Sequence, residues 1–457
     1  MRLPGSLRSH LLPAILIGIV LFPSEGVAQP TVTAPALAAE VERIATDRQE
    51  PLWPGFDPLS VPLAVYDGER TWLFRHPQPP EGCHDVAGSA AHVLDGRHAT
   101  MTSNTSADIG GVSTGTVILD GVQGRPLEAL AAMAIHEAFH VFQRARHPGW
   151  SGNEGDLVTY PATDANLLTL RRLESESLSR ALHATNVDSA ASWTRVALEM
   201  RARRYADLDS SHAVYERKTE LNEGLAAYVE WKAGNRKHFE FPAAEFAPAD
   251  VRLRTYTTGP ALALLLDRFS QGWSVQLEQH DDDYLDALLS RAVPKGTFGC
   301  GFSETERETI ARRAEADVLA LQERQSKSKD DFLAKDGWRV TVEAEPGTPL
   351  WPQGFDPLNV EVLAPGQVLH RRYLKLGNDS GTIEVLNAAS LTDAAGSHPL
   401  FNGIKTCVLT GLSEPQIDEK DGGLVLNAQG VMMRFMRASA TIREREVLVQ
   451  VGAATAK

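Results

Sequence analysis

The feature that most constrains this chain is a helical segment that carries two histidines four residues apart. Pro126 is followed by LEALAAMAIHEAFHVFQRARH, in which apolar residues recur at helical spacing. Proline at the first helical position and the Pro-Gly pair that follows His147 predict the two ends of the helix. Residues four apart lie on one face of a helix. The pattern therefore predicts a helix with His136 and His140 on the same side.

The same stretch contains His-Glu-x-x-His, a pattern that is typical of catalytic zinc sites. Both imidazoles can reach one metal ion, and Glu137, one step round the helix, faces water bound to that metal. A catalytic zinc also needs a third protein ligand and one open position. The candidates for the third ligand are the downstream glutamates Glu154, Glu174, Glu176, Glu216, Glu220, Glu223 and Glu230.

Residues 221–230 read LNEGLAAYVE, and this segment closely resembles the second zinc-binding helix of the gluzincin metallopeptidases. In that family, Asn-Glu-Gly followed by a small or aromatic residue and alanine supplies the glutamate ligand. The resemblance implies Glu223 as the third ligand of one catalytic Zn²⁺, Glu137 as the general base, and a peptide or protein as substrate. Glu174, on the next predicted helix, stays open as the alternative ligand. Glu220, one turn before Glu223, is expected to support a histidine ligand.

Tyr256 opens a second segment, YTTGPAL, which resembles the Tyr-x-Lys-Gly-Ala segment of the aminopeptidase and glycyl-aminopeptidase branches of the gluzincins. The resemblance implies that the Tyr256 hydroxyl stabilises the oxyanion. It extends over about residues 126–270, with inserted helices at about 165–205. The Gly-x-Met-Glu-Asn strand, whose glutamate binds the free amino terminus of the substrate in the aminopeptidases, is replaced by NTSADIGGVSTG at 104–115. Endopeptidase and exopeptidase activity therefore both remain open.

The order of predicted elements indicates an α+β protein. Two β-prone runs around Asp67-Gly68 predict a hairpin, and 114–119 predicts a strand. Seven strand-like runs follow Gly337. The resemblance implies a thermolysin-like metallopeptidase domain at 29–335, which the element order makes β-rich over 29–125 and helical over 126–335, followed by an all-β module at 336–457. Besides the helix after Pro126, helices are predicted over 165–183, 192–205, 213–233, 259–270 and 282–292, and from a capping box at Ser303 towards 326.

The first 28 residues have the pattern of a secretory signal peptide. Arg2 and Arg8 precede an apolar run at 11–22, and small residues lead to a cleavage site after Ala28. The apolar run is too short for a permanent membrane span, although an uncleaved anchor is the alternative. Cleavage would remove two arginines and one glutamate and change the formal charge from −14 to −15, which argues against nucleic acid as a partner. We expect an exported protein, periplasmic or extracellular, without stable membrane insertion.

Export to an oxidising compartment makes the three cysteines relevant. Cys83 and Cys300 lie in glycine-rich, loop-like sequence, whereas Cys407 lies in a strand-like run. We predict a disulfide between Cys83 and Cys300, and we predict that Cys407 is a small buried hydrophobic residue.

One phrase occurs twice, as PLWPGFDPLSV at 51–61 and, with Gln353 inserted, as PLWPQGFDPLNV at 349–360. Two copies are too few for a solenoid. Proline, glycine and Asp-Pro around the aromatic residues predict a rigid turn whose rings, including Trp53 or Trp351, pack onto the strand that follows. An exposed aromatic platform for binding is the alternative.

Two classes of function remain open on these observations. The first is a secreted zinc-dependent peptidase, which the resemblance favours. The second is a secreted, catalytically inactive metal-binding scaffold or protein-binding module, with the C-terminal β-rich module as its recognition surface. Stoichiometric zinc without hydrolysis of any peptide would distinguish the second class from the first.

Overall fold

The computed structural model describes residues 32–452 except 121, 123, 236–237, 240, 242–245, 281, 297–298, 357–358 and 397; the predicted signal segment lies outside the described residues. Its helices are α1 Ala34–Thr46, α2 Leu127–Arg146, α3 Glu154–Val158, α4 Ala165–His183, α5 Val187–Asp207, α6 Ser210–Thr219, α7 Leu225–Ala233, α8 Val251–Phe269, α9 Trp273–Gln279, α10 Leu285–Ala292 and α11 Glu304–Leu333. In this part of the chain, no helix combines the length and apolar composition of a membrane span.

The strands form three sheets. They are β1 Leu63–Tyr66, β2 Arg70–Phe74, β3 His84–Asp85, β4 His92–Asp95, β5 Thr105–Ile109, β6 Val112–Ile118, β7 Trp338–Ala344, β8 Trp351–Phe355, β9 Val360–Ala364, β10 Gln367–His370, β11 Tyr373–Asn378, β12 Gly381–Leu386, β13 Ser390–Ala394, β14 Ile404–Leu412, β15 Gln416–Lys420, β16 Gly423–Ala428, β17 Val431–Phe435, β18 Ala438–Arg443 and β19 Glu446–Val451. The chain is thus a mixed α+β protein with an N-terminal β part, a helical core and a C-terminal all-β region.

The N-terminal sheet has the strand order β3-β4-β2-β1-β6-β5. The hairpin predicted around Asp67 is confirmed, because β1 and β2 pair antiparallel with Leu63 opposite Phe74. Helix α2 lies against strand β6, where a Cβ atom on Gly115 would meet the backbone nitrogen of Ala138 at 3.2 Å. A side chain here would push the helix away from the sheet. Gly115 therefore allows the histidine-bearing helix to lie directly on the sheet.

The prediction for α2 is confirmed, and the helix is the centre of the main hydrophobic core. Every residue from 130 to 139 is buried. A helix that is apolar all round belongs inside a protein, packed on several sides. The sheet covers one side of α2, and α1 and α7 lie along others.

The helical part follows the predictions, with several bounds changed. Helix α5 begins at Val187 rather than at residue 192, and α11 extends to Leu333 rather than to 326. Helix α4 has the predicted bounds, and the capping box at Ser303 is present. Helix α8 begins at Val251 rather than at residue 259, so that Pro260 lies inside it. The helix predicted over 213–233 is interrupted by a π-helical turn, Glu220–Gly224, between α6 and α7. Such wide turns are rare and occur often at functional sites.

The C-terminal region is a sandwich of two sheets, with orders β18-β19-β7-β14-β13-β10-β9 and β15-β16-β17-β12-β11-β8, around a shared apolar core. The strand-like runs 367–376 and 431–440 are each two strands that belong to different sheets. Helix α11 packs on the seven-stranded sheet through Phe332, and the Gln325 amide donates a hydrogen bond of 2.7 Å to the Val362 carbonyl. The change from helix to strand falls between Leu333 and Trp338.

The predicted disulfide is wrong. Cys83, Cys300 and Cys407 are all free thiols. Cys83 packs against the small apolar cluster of the N-terminal sheet, whereas the backbone N–H of Cys300 donates to the Ser192 hydroxyl at 3.2 Å. Their shared loop-like composition carried no information on proximity. Cys407 is fully buried in the sandwich core, as predicted, and burial raises the pKa of its thiol to about 12.

The two copies of the repeated phrase fold differently. In the first copy, the Phe56 backbone N–H donates to the Trp53 carbonyl at 3.2 Å, and both rings are buried, so the predicted turn is confirmed there. The predicted packing onto the following strand is wrong, because the Trp53 ring contacts Phe139 on α2 and Trp273 on α9. In the second copy the prediction is wrong, because Trp351–Phe355 is strand β8 and Trp351 is 46% exposed. The inserted Gln353 has no partner in the register with β11, which makes it the extra residue of a β-bulge.

Candidate metal centre

Helix α2 brings the two predicted histidines together. The Nε2 atoms of His136 and His140 lie 3.1 Å apart, and their ring centroids are separated by 4.8 Å at an interplanar angle of 80°. The spacing of four residues on one helix accounts for this contact. Both rings direct the same nitrogen towards a common point.

The third group at this point is Glu223, which is the residue that the resemblance implied. Its Oε2 atom lies 3.2 Å from His140 Nε2 and 3.8 Å from His136 Nε2. The candidate ligand atoms of the three residues all lie within 4.8 Å of one another. Two imidazole nitrogens and one carboxylate oxygen are a donor set that occurs in zinc sites with three protein ligands.

The surroundings of His140 determine which of its nitrogens carries a proton. The Gln143 amide nitrogen donates to the carbonyls of Leu221 and Asn222, both at 2.9 Å, so its oxygen faces His140 Nδ1 at 2.9 Å. An amide oxygen only accepts hydrogen bonds, so Nδ1 must be the protonated nitrogen. His140 Nε2 therefore presents a lone pair to the centre.

A carboxylate also faces His136. Its Nδ1 atom is in ion-pair contact with Glu230 Oε2 at 3.1 Å, and its Nε2 atom faces the centre. Burial alone would lower the pKa of His136, yet Glu223 and Glu230 raise it to about 10. These carboxylates favour a positive charge at the centre.

The donor set fits a cation because its central atoms are electron-pair donors directed at one another. Without a metal ion, the proton that the raised pKa keeps on His136 offsets the lone pair of His140 Nε2 and the charge of the Glu223 carboxylate, and a bound cation would replace that proton. Two nitrogen ligands and one oxygen ligand suit zinc better than calcium or magnesium, which prefer all-oxygen sites. The residues therefore fit Zn²⁺ with one position left open.

Glu223 reaches the histidines because two helices cross at very close range. A Cβ atom on Gly224 would lie 2.7 Å from the Cα of Gly259, and one on Gly259 would lie 2.4 Å from the Cα of Gly224. Any side chain at either position would force the π turn and helix α8 apart. This glycine contact brings Glu223 and Tyr256 to the same side of the centre.

Glu174, the alternative ligand, is not part of the site. Its Oε1 atom accepts from Arg201 Nη2 at 2.8 Å and lies 2.7 Å from Arg254 Nη2, and its Oε2 atom accepts from Arg204 Nη2 at 2.8 Å. All four side chains are buried. Burial by itself would raise the pKa of Glu174, but the three guanidinium groups hold it well below its usual value. Both carboxylate oxygens are thus committed to arginines.

The expectation that Glu220 supports a histidine is also wrong. Glu220 Oε1 accepts from Arg201 at 2.6 Å and from the Thr258 hydroxyl at 2.7 Å. The π turn explains the difference, because its wider turn rotates Glu220 away from the face that carries Glu223. Glu230 occupies the supporting position instead.

Glu137 is buried on α2 beside the histidines. Burial raises the pKa of its carboxyl above the usual value, and the neighbouring His136 and His140 act in the opposite direction. A raised pKa brings a carboxylate closer to the value at which it both accepts and returns a proton near neutral pH.

Tyr256 lies beside the centre. Its ring stacks on that of His136 with centroids 6.2 Å apart, and its hydroxyl oxygen accepts a hydrogen bond of 3.0 Å from Arg252 Nη1. Burial and the charge of Glu223 raise the pKa of Tyr256 well above its usual value. The hydroxyl therefore keeps its proton and can donate it in a hydrogen bond.

Three residues around the centre were not assigned these roles from the sequence. Gln143 follows His140 by three residues, Glu230 follows Glu223 by seven, and Arg252 precedes Tyr256 by four. The spacings of Gln143 and Arg252 place each of them on the same helical face as the residue that it supports, whereas Glu230 lies on α7 and supports His136 on α2. A search for polar residues one or two turns from each candidate would have found all three.

A comparison of the chain with protein-family models, with curated proteins and with solved structures finds no match. The resemblance to the gluzincins rests on the sequence segments around His136, Glu223 and Tyr256.

We expect Glu223→Ala to reduce bound zinc from stoichiometric to near zero, because it removes one of three ligand atoms. Glu174→Ala should retain zinc, although it leaves buried arginines unpaired and lowers the free energy of unfolding by about 3 to 5 kcal/mol. Zinc is measured by elemental analysis on the folded fraction of each variant. If Glu174→Ala alone loses zinc, the third ligand is Glu174.

Proposed function

We propose that this protein is an exported zinc-dependent peptidase of the gluzincin type, which hydrolyses peptide bonds in peptides or proteins. The observation that carries the proposal is the convergence of His136, His140 and Glu223, with buried Glu137 on the same helix. The direct seating of α2 on the N-terminal sheet and the helices that follow support a thermolysin-like metallopeptidase domain.

The reaction divides between the metal and the side chains. His136, His140 and Glu223 would hold Zn²⁺, which would supply a Lewis acid for the scissile carbonyl and lower the pKa of a water molecule to about 7. Glu137 accepts the water proton on a carboxylate oxygen and returns it to the nitrogen of the leaving amine. Tyr256 donates its hydroxyl proton in a hydrogen bond to the carbonyl oxygen as negative charge develops there, a contribution on the order of 3 kcal/mol.

The test uses the full chain expressed with its N-terminal segment in a host that exports proteins. We expect an intact mass that begins at Gln29, stoichiometric zinc, and cleavage of a mixed peptide library and of unfolded proteins. A chelator should stop the cleavage and added zinc should restore it. Stoichiometric zinc with no cleaved peptide would overturn the proposed activity in favour of an inactive metal-binding scaffold, and retention of residues 1–28 would contradict export by cleavage.

A further inference from the structure

The guanidinium of Arg252 on α8 connects three groups around the candidate metal centre. Its Nη2 atom donates to Glu223 Oε1 at 2.6 Å, its Nη1 atom to the Tyr256 hydroxyl oxygen at 3.0 Å, and its Nε atom to Glu154 Oε1 at 3.2 Å. The planar guanidinium offers donors in fixed directions. Three separate acceptors therefore hold Arg252 in one orientation.

The first contact determines how Glu223 can bind a metal. A free carboxylate can use one or both of its oxygens as ligands. Here Oε1 is engaged by Arg252, while Oε2 faces His140 Nε2 at 3.2 Å. The positive charge of Arg252 makes Oε1 the weaker electron-pair donor, so Oε2 is the favoured ligand atom and the site would keep three protein ligand atoms and an open position.

The second contact determines what the Tyr256 hydroxyl can do. Arg252 Nη1 donates to the hydroxyl oxygen, so the tyrosine uses its own proton only as a donor, and the Glu223 carboxylate is an acceptor within its reach. The positive charge next to the oxygen also makes the hydroxyl a stronger hydrogen-bond donor. Arg252 and Tyr256 are four residues apart on one helix, and this spacing keeps the two side chains together.

The third contact anchors the guanidinium through a residue outside the candidate metal centre, Glu154. Glu154 on α3 accepts from Arg252 through Oε1, and its Oε2 atom accepts from the Tyr215 hydroxyl at 3.0 Å. The carboxylates of Glu154 and Glu223 together offset the charge of Arg252, so that a divalent cation and an arginine can be close neighbours.

We propose that Arg252 is a positioning residue that holds Glu223 as a single-oxygen metal ligand and presents the Tyr256 hydroxyl to the substrate. This inference rests on the proposed function and deepens it. A direct role in binding a substrate carboxylate fits less well, because three separate protein acceptors already engage the guanidinium. The two roles differ in their kinetics, since positioning acts on zinc affinity and kcat, whereas carboxylate binding acts on KM.

The test measures the zinc dissociation constant of Arg252→Ala by competition with a chromophoric chelator. We expect zinc to bind about 10- to 100-fold more weakly, as is usual when a partner of a metal ligand is removed. Arg252→Lys should lie between this variant and the wild type, because an ammonium is a point charge without the arginine fork. Arg217→Ala is the matched control: Arg217 is 30% exposed and bonds Asp286 at 2.8 Å, whereas Arg252 is 28% exposed and bonds Glu223 at 2.6 Å. The control should keep the wild-type zinc affinity.

The kinetic test is a double-mutant cycle. It compares kcat of the wild type, Arg252→Ala, Tyr256→Phe and the double variant on one peptide that the library digest shows to be cleaved. Tyr256→Phe should lower kcat in the wild-type background and much less in the Arg252→Ala background, because the hydroxyl is already displaced there. Thermal unfolding with excess chelator checks that each variant is folded. If Arg252→Ala does not fold, the zinc dissociation constant and kcat of Arg252→Lys are compared with those of the wild type instead.

Equal zinc dissociation constants for the wild type, Arg252→Ala and Arg252→Lys would overturn the inference and leave the proposed peptidase intact. A raised KM with unchanged zinc affinity would overturn it in favour of substrate binding. Weaker zinc binding by the Arg252 variants of a protein that cleaves no peptide would overturn the proposed function but support the positioning role.

Discussion

Glu137→Gln is expected to lower kcat by about 10²- to 10⁴-fold while zinc stays bound. Glutamine has nearly the size and hydrogen-bonding capacity of glutamate, but its amide oxygen does not take the proton of the attacking water. The carboxyl of Glu137 is buried beside the histidines without being one of the three converging ligands, so its replacement should leave the metal site in place. The measurement is kcat on a cleaved library peptide, together with zinc content.

Glu128→Gln on the same helix is the matched control, because Glu128 is exposed in the first turn of α2. It should change neither kcat nor zinc content. Full activity of the Glu137 variant would remove Glu137 from the mechanism. Loss of zinc in that variant would instead show that the carboxylate helps to hold the metal.

Trp53→Ala is expected to lower the free energy of unfolding by about 3 to 5 kcal/mol. Trp53 is 1% exposed, makes edge-to-face contacts with Phe139 at 5.7 Å and Trp273 at 5.5 Å, and donates from Nε1 to Glu278 at 2.5 Å. Truncation would leave a large cavity and a partly buried carboxylate without one of its donors. Phe139 lies between the two histidines on α2, so the loss of its contact with the Trp53 ring should also weaken zinc binding.

The second copy of the repeated phrase supplies the control for this prediction. Trp351→Ala makes the same substitution in nearly the same local sequence, but Trp351 is 46% exposed. We expect a change of at most about 0.5 kcal/mol, as for most surface substitutions. Stability is followed by denaturant unfolding, with the zinc-binding part monitored through zinc release. An unchanged midpoint for Trp53→Ala combined with lost substrate affinity would make the first copy a binding surface.

Local sequence was sufficient where one segment carries the whole signal. The histidine pair is an example, because a spacing of four residues on a helix brings two side chains together whatever surrounds them. The helix bounds of α4 and the capping box at Ser303 are of the same kind, since caps and periodicity act within a few residues.

Local sequence was not sufficient where two segments compete for one role. Glu174 and Glu223 are both glutamates on helices that follow α2, and only the resemblance separated them before the structure did. Glu174 faces a buried group of arginines, whereas Glu223 faces the histidines. That outcome depends on the crossing of Gly224 with Gly259, a contact between segments that are distant along the chain. The supposed Cys83 to Cys300 bridge failed for the same reason.

The sequence by itself determined the alternation of strands and helices, the His-Glu-x-x-His helix and the burial of Cys407, because each of these depends on periodicity or composition over a short stretch. Only the tertiary structure decided the third candidate ligand, the partners of the two imidazoles, and the burial of Trp53 as against the exposure of Trp351. These outcomes depend on which surfaces meet when the helices and sheets pack. The burial of a side chain follows from its tertiary neighbours rather than from the residues next to it in the sequence.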